Sequence, residues 1–228
     1  MRPKIAVALP ARTTSEALKM IRMGCQFGAD LAEIRLDYLK KNEPIDQIAL
    51  KGRETPLIAT FRSNNSGGRR RVKEKERIET LIAAADAGFD YVDVELETRN
   101  LKNVLETLRS KGAETIVSYH NFAETPSDAK LRSILKLCRD SGATISKLTT
   151  ETRRLEDSLR LLALTGNESK GVRLVCFGMG KPGIITRILS PIYGAAFTFA
   201  SLDAKRTVAP GQISVSSLRR IYDAMGYA

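Results

Sequence analysis

Residues Tyr91 to Thr150 read YVDVELETRN LKNVLETLRS KGAETIVSYH NFAETPSDAK LRSILKLCRD SGATISKLTT. Three runs rich in β-branched and apolar residues stand out: YVDVELE from Tyr91, TIVSYHNF from Thr115 and TISKLTT from Thr144. Two segments with helical spacing separate them, Leu101 to Leu108 and Ser127 to Arg139. Near-continuous apolar runs mark strands buried on both faces of a parallel sheet, whose neighbouring strands need a crossover helix. Ser127, after Thr125-Pro126, supplies a hydroxyl for an N-cap. Gly112 and Gly142 follow the two helices, where a left-handed C-terminal cap is expected. The stretch therefore reads as consecutive βα units.

The same rhythm extends both ways. Upstream lie KIAVALP from Lys4, LAEIRLDYL from Leu31 and PLIATFRS from Pro56; downstream lie RLVCFGM from Arg173 and AAFTFASL from Ala195. Further helical spacing covers Thr14 to Met23, Glu76 to Ala87, Leu155 to Leu164 and Ser214 to Met225. Eight strands alternating with about eight helices predict an α/β fold, a (β/α)8 TIM barrel, over residues 1–228 as a single catalytic domain. No Pro/Gly/Ser-rich linker divides the chain. An open doubly wound sheet is the runner-up, and both folds bind ligands at the C-terminal strand ends.

Composition narrows the function. The 228 residues hold 37 Lys+Arg against 26 Asp+Glu, a net charge of +11, and 43 % are hydrophobic. Such a chain buries a core without disulfides or metals. Three cysteines, Cys25, Cys138 and Cys176, are far apart and odd in number, which argues against a disulfide framework or zinc site. No apolar run approaches the roughly 20 residues that span a bilayer. The opening MRPKIAVALPAR is too short in its apolar part for a signal peptide and is closed by Pro10 and Arg12, so it reads as a first strand of a cytoplasmic protein. The charge raises nucleic-acid binding as a competing reading. Against it, aromatics are 6 %, Trp is absent, and no helix-turn-helix, zinc or RNA-module signature occurs. The RRRVKEKER run from Arg69 reads as a solvated helix entrance, with weak salt-sensitive binding through Arg69-Arg70-Arg71 at most.

The informative residues are polar ones in strands that should be dry. Side chains two apart share a face. Glu33, Arg35 and Asp37 do so in the second strand, Thr60 and Arg62 in the third, Asp93, Glu95 and Glu97 in the fourth, and Ser118 and His120 in the fifth. Lys147 lies in the sixth. If helices cover the apolar faces, these groups converge inside the barrel. One reading is a structural ion network, with Glu33–Arg35 and Arg62–Asp93 pairs, since buried charges need partners. The other is catalytic. The only histidine and a mid-strand lysine fall on consecutive strands. A lysine in a partly desolvated, cation-lined site becomes an amine nucleophile toward carbonyls, and a histidine beside it moves protons on and off a Schiff base. Arg62 and Arg187 would bind a carboxylate or phosphate. The GMGKPG run at Gly178 to Gly183 matches GxGxxG, but it follows a seventh strand. It reads as a tight βα turn whose following helix N-terminus, with Arg187 inside the helix, faces an anion, and not as a dinucleotide site.

Taken in order, these motifs resemble one family. ExRxD at Glu33-Arg35-Asp37, the Thr60 to Ser63 run with Gly67-Gly68, DVELE at Asp93 to Glu97, SYHNF at Ser118 to Phe122, ISKL at Ile145 to Leu148, FGMGKPGIITR up to Arg187 and APGQ at Ala209 to Gln212 resemble type I 3-dehydroquinate dehydratases over nearly the whole chain. The resemblance implies a barrel lyase of the shikimate pathway that dehydrates 3-dehydroquinate to 3-dehydroshikimate, without cofactor or metal. It implies Lys147 as the imine-forming residue and His120 as its general acid/base. It implies Arg187 as carboxylate clamp, and Glu33, Arg35, Arg62 and Gln212 as further substrate ligands. Asp93 and Glu95 would be carboxylates behind them that orient the Arg, Lys and His. Three positions depart from the family pattern: Ser66 stands for a Glu, and Ala8 and Val208 stand for serines, with Thr207 or its loop backbone expected to replace the last. The expected partner is the small-molecule substrate, with no specific nucleic acid and no membrane; a homodimer is left open. Another Schiff-base barrel enzyme, such as a class I aldolase, is the alternative.

Overall fold

The structure, a computed structural model, describes residues 2–169 and 171–227. All eight expected strands form: β1 (Ile5–Leu9), β2 (Leu31–Arg35), β3 (Leu57–Thr60), β4 (Tyr91–Glu95), β5 (Glu114–Asn121), β6 (Ile145–Glu151), β7 (Leu174–Met179) and β8 (Thr198–Ser201). The helices between them are α1 (Thr14–Gln26), α2 (Ile45–Lys51), α3 (Glu74–Ala87), α4 (Leu101–Ser110), α5 (Asp128–Asp140), α6 (Leu155–Glu168), α7 (Gly180–Leu189) and α8 (Val215–Ala224). Ser127 caps α5 by accepting the Lys130 N–H, and Gly112 and Gly142 take the expected left-handed backbone. Helix α2 is the element with no sequence signal. It has seven residues, buries Ile48 and Ala49, and is too short to show a period.

Every registered strand pair is parallel, in the order β7-β6-β5-β4-β3-β2-β1-β8. A TIM barrel results, closed between β7 and the chain entering β8 by the Ala196 N–H donating to the Leu174 carbonyl at 2.7 Å. The period of two sorts the side chains. Outward residues such as Val7, Ile34, Val94, Val117 and Leu148 pack under the helices. Inward residues Ala6, Ala8, Leu31, Ile58, Ile116, Ile145, Val175, Phe177, Phe197 and Phe199 form a second apolar cluster inside the barrel. Fully burying a side chain of the larger kind contributes about 1.5–3 kcal/mol.

The inward series changes character along β2, β3, β5 and β6. It runs Leu31-Glu33-Arg35, Ile58-Thr60-Arg62, Ile116-Ser118-His120 and Ile145-Lys147-Thr149. Each begins apolar and turns polar. The apolar starts plug the N-terminal end, and the polar ends collect at the C-terminal mouth, where a barrel carries its chemistry.

The basic run from Arg69 is more than the solvated entrance expected of it. Arg70 lies over the Phe61 ring at 4.8 Å and donates to the Leu39 carbonyl at 2.8 Å. Arg77, at the end of the run, is buried. Arg69, Arg71, Lys73, Glu74, Lys75 and Glu76 are exposed, as a solvated helix entrance requires, so the packed cations of the run are Arg70 and Arg77.

Candidate active site

Asp93 on β4 organises the mouth. It accepts two bonds from the Arg62 guanidinium at 3.0 and 2.8 Å, one from Lys147 Nζ at 2.8 Å and one from the Ser118 hydroxyl at 2.6 Å. Burial opposes its charge, but Arg62 and Lys147 override it and hold the carboxyl well below the usual carboxylate range. Arg62 is in turn held above its ordinary value by Asp93 and Glu95 against the cost of burial. The expected Arg62–Asp93 pair is therefore present. The expected Glu33–Arg35 pair is not. Arg35 makes a two-pronged pair with Asp37 at 2.8 Å per prong, while Glu33 accepts from the Thr60 hydroxyl at 2.8 Å and lies 3.5 Å from Lys147 Nζ. Asp37 sits past the end of β2, where the chain turns and can fold its carboxylate back onto Arg35.

Lys147 is 4 % exposed, with Nζ 4.0 Å above the Phe199 ring. Arg35, Arg62 and Arg187 line the same cavity, so the site carries the cations expected of it, but the groups nearest the amine are carboxylates. Its charged contacts are the carboxylates Asp93 and Glu33, and Arg62 reaches it through Asp93. His120 lies one step further up β5, stacked on Phe122 at 6.1 Å. Burial, with Arg62 and Lys147 nearby, holds its imidazole neutral, well below its ordinary value. Its Nδ1 is buried with no hydrogen-bond partner among the described residues. Neither Asp93 nor Glu95 orients it by a hydrogen bond, contrary to expectation. Asp93's oxygens are taken by Arg62, Lys147 and Ser118, and Glu95 accepts the Ser63 N–H at 2.9 Å and faces Arg62 and Arg77 at 3.7 and 3.5 Å.

Arg187 is the odd cation. It is 1 % exposed and stacks over Phe177 at 4.3 Å. Its only hydrogen bonds are long ones to the carbonyls of Phe199 at 3.5 Å and Pro210 at 3.4 Å, and Nε has no partner among the described residues. No carboxylate pairs with it among those residues, and burial pushes it down to about 9. A buried guanidinium without a counter-ion is a site prepared for an anion. Arg187 lies in the last turn of α7, so its side chain presents the charge from the end of the helix opposite the glycine motif.

These groups share one cavity that opens to solvent. Glu33, Arg35, Arg62, His120, Lys147, Arg187 and Gln212 line it, as do Phe177 and Phe199. Asp93 and Glu95 stand behind the lining, where the family resemblance put them. Thr207 is exposed and does not line the cavity; Val208, Ala209 and Pro210 do. The reason is the turn. The Val208 N–H donates to Gln212 Oε1 at 2.8 Å, which aims Val208 inward and Thr207 outward. Ser66 lines the mouth, and Ala8 sits below it in the apolar cluster.

Sequence reasoning missed three supports. Arg77 reaches from α3 to Glu74, Glu95, Thr98 and the Phe61 carbonyl, and its place in a charge run hid it. Ser118 bridges Arg62 and Asp93, although its shared face with His120 was visible. Thr149 lines the cavity beside Lys147, and the two-residue period signalled its direction. Among the described residues no three His, Cys, Asp or Glu side chains stand close enough to hold a metal, and no helix is long and apolar enough to cross a membrane.

The chain was compared with known proteins. It is 38 % identical over 226 residues to a 3-dehydroquinate dehydratase of Dehalococcoides mccartyi, covering 99 % of this chain and 97 % of that one. It is 35 % identical over 217 residues to that of Thermococcus onnurineus, covering 95 % of each. The solved 3-dehydroquinate dehydratase of Geobacillus kaustophilus superposes with a TM-score of 0.90 at 26 % identity, covering 99 % of this chain and 92 % of that one. The family pattern described as type I 3-dehydroquinase matches residues 5–228. With a barrel, a buried lysine and an unpaired arginine in one mouth, and this match along almost its whole length, the chain belongs to the type I 3-dehydroquinase family.

Proposed function

We propose that the chain dehydrates 3-dehydroquinate to 3-dehydroshikimate in the shikimate pathway, through an imine between the substrate ketone and Lys147. The observation that carries this is a single cavity that joins an amine, a neutral imidazole and an unpaired guanidinium. Arg187 holds the substrate carboxylate and so sets the ketone over Lys147 Nζ. The amine attacks the carbonyl carbon, and loss of one water leaves a protonated imine. The imine withdraws electrons and acidifies the neighbouring C–H. His120 takes that proton, and the electron pair expels the hydroxyl on the next carbon, which leaves as water with a proton returned by His120. A second water hydrolyses the imine and frees Lys147. The net change is loss of one water. Glu33, Arg35, Arg62 and Gln212 contact the ring hydroxyls or the carboxylate.

Reduction with borohydride in the presence of 3-dehydroquinate, followed by peptide mass mapping, tests the reading. An adduct on Lys147 alone is expected. An adduct elsewhere, or none while the ultraviolet enone absorbance still grows, overturns it.

A further inference from the structure

Two of the buried polar atoms without a partner among the described residues lie on adjacent strands and belong to residues that line the cavity. His120 Nδ1 and Thr149 Oγ1 are both buried without a hydrogen-bond partner among the described residues. His120 and Thr149 are register partners on β5 and β6, and both line the cavity. Thr149 is 3 % exposed.

A neutral imidazole has one N–H and one lone pair. If Nε2 offers the lone pair to the substrate proton, the hydrogen sits on Nδ1, and a buried N–H needs an acceptor. Of the charged groups that act most on the ring, Arg62, Lys147, Asp93 and Arg35, none supplies one. Arg35, Arg62 and Lys147 only donate, and each oxygen of Asp93 already accepts two bonds. Phe122 covers a ring face. The Thr149 hydroxyl can accept, faces the same cavity and has no other partner among the described residues.

We propose that Thr149 is a positioning residue whose Oγ1 accepts the Nδ1 proton of His120, directly or through one water, and keeps Nε2 as the base. The bond tightens as substrate fills the cavity, as catalytic hydrogen bonds commonly do. The catalytic consequence rests on the role of His120 proposed above; the contact itself does not.

The chain has one histidine, so imidazole ¹⁵N NMR of the full-length, histidine-labelled protein reads its tautomer without assignment. Without substrate, the Nδ1–H form is expected to dominate, and Thr149→Val, which keeps the shape and removes the hydroxyl, is expected to lower its ratio to the other tautomer by about fivefold or more. The same variant lowers kcat by about tenfold with KM nearly unchanged, since it disturbs the base and not substrate binding. Thr149→Ser restores both. A packing role predicts the reverse order, with Val tolerated and Ser impaired, and that order overturns the proposal. An unchanged tautomer ratio in Thr149→Val overturns it too, as does a collapse in Ser66→Ala alone, which would assign the contact to the Ser66 hydroxyl at the mouth. If borohydride trapping fails at Lys147 while the Thr149→Val ratio still falls, the contact stands and the imine reading falls.

Discussion

Replacing Asp93 with Asn tests the ion network on which the site is built. The Asp93 side chain is fully buried and accepts four bonds, two from Arg62 and one each from Lys147 and Ser118. Removing one partner of a buried ion pair costs about 3–5 kcal/mol, because the other charge stays buried and unpaired. Two features of this site favour the lower end. Glu95 lies 3.7 Å from Arg62 and Glu33 lies 3.5 Å from Lys147, so each stranded cation keeps one carboxylate neighbour. A loss of about 3 kcal/mol is expected, equivalent to a fall in Tm of roughly 6–12 °C for a chain of this size. The loss also depends on pH. The folded-state carboxyl of Asp93 is lowered. Its contribution is therefore fully present above the unfolded value near 3.9 and disappears as pH falls through the lowered folded value. Equilibrium urea unfolding of both proteins from pH 8 to pH 3 checks this. The gap between them should be flat above about pH 5 and shrink in stronger acid. A loss under about 1 kcal/mol at pH 7, the size of an exposed pair, would refute the claim that this network is tightly coupled.

Three further outcomes are expected. Arg187→Met should weaken binding of the substrate carboxylate by about 10- to 100-fold, measured by calorimetry, as loss of a charge-assisted contact does. The unliganded variant should unfold at equal or higher urea, because it no longer buries an unpaired cation; lower stability would show that Arg187 has a structural partner. The acid limb of kcat/KM that belongs to His120 should fall below the ordinary histidine value of about 6.5, since burial with Arg62 and Lys147 nearby disfavours the imidazolium; a limb at or above that value in the wild type, absent from His120→Ala, would contradict this. Gly68→Ala should destabilise by at least about 3 kcal/mol in the same urea assay and disturb Arg62, because the new Cβ would lie 1.9 Å from the Arg62 carbonyl oxygen, a backbone atom that cannot step aside. Normal stability would mean that the third loop tolerates another path.

The amino-acid sequence by itself determined the barrel and most of what points into its mouth. Local rules suffice for this. Alternation at a period of two separated Val92, Val94 and Ile34 from Asp93, Glu95 and Glu33, and the helical period between the runs supplied the crossovers. The lone His120 and the mid-strand Lys147 were legible for the same reason, because strand direction and order place them together. The partners were not legible. Glu33 and Arg35 share a face but lie two residues apart on an extended strand, so each finds its contact on another element. Glu33 finds Thr60 and Lys147, and Arg35 finds Asp37 in the turn that follows β2. Arg77 enters from a helix, and no strand period announces it. The inward turn of Val208, and with it the exclusion of Thr207, depends on one hydrogen bond from the Val208 N–H to Gln212. Above all, the unpaired state of Arg187 is a property of everything packed around it. A sequence shows that a cation exists, but whether a carboxylate meets it is decided by the register and closure of strands distant in the chain.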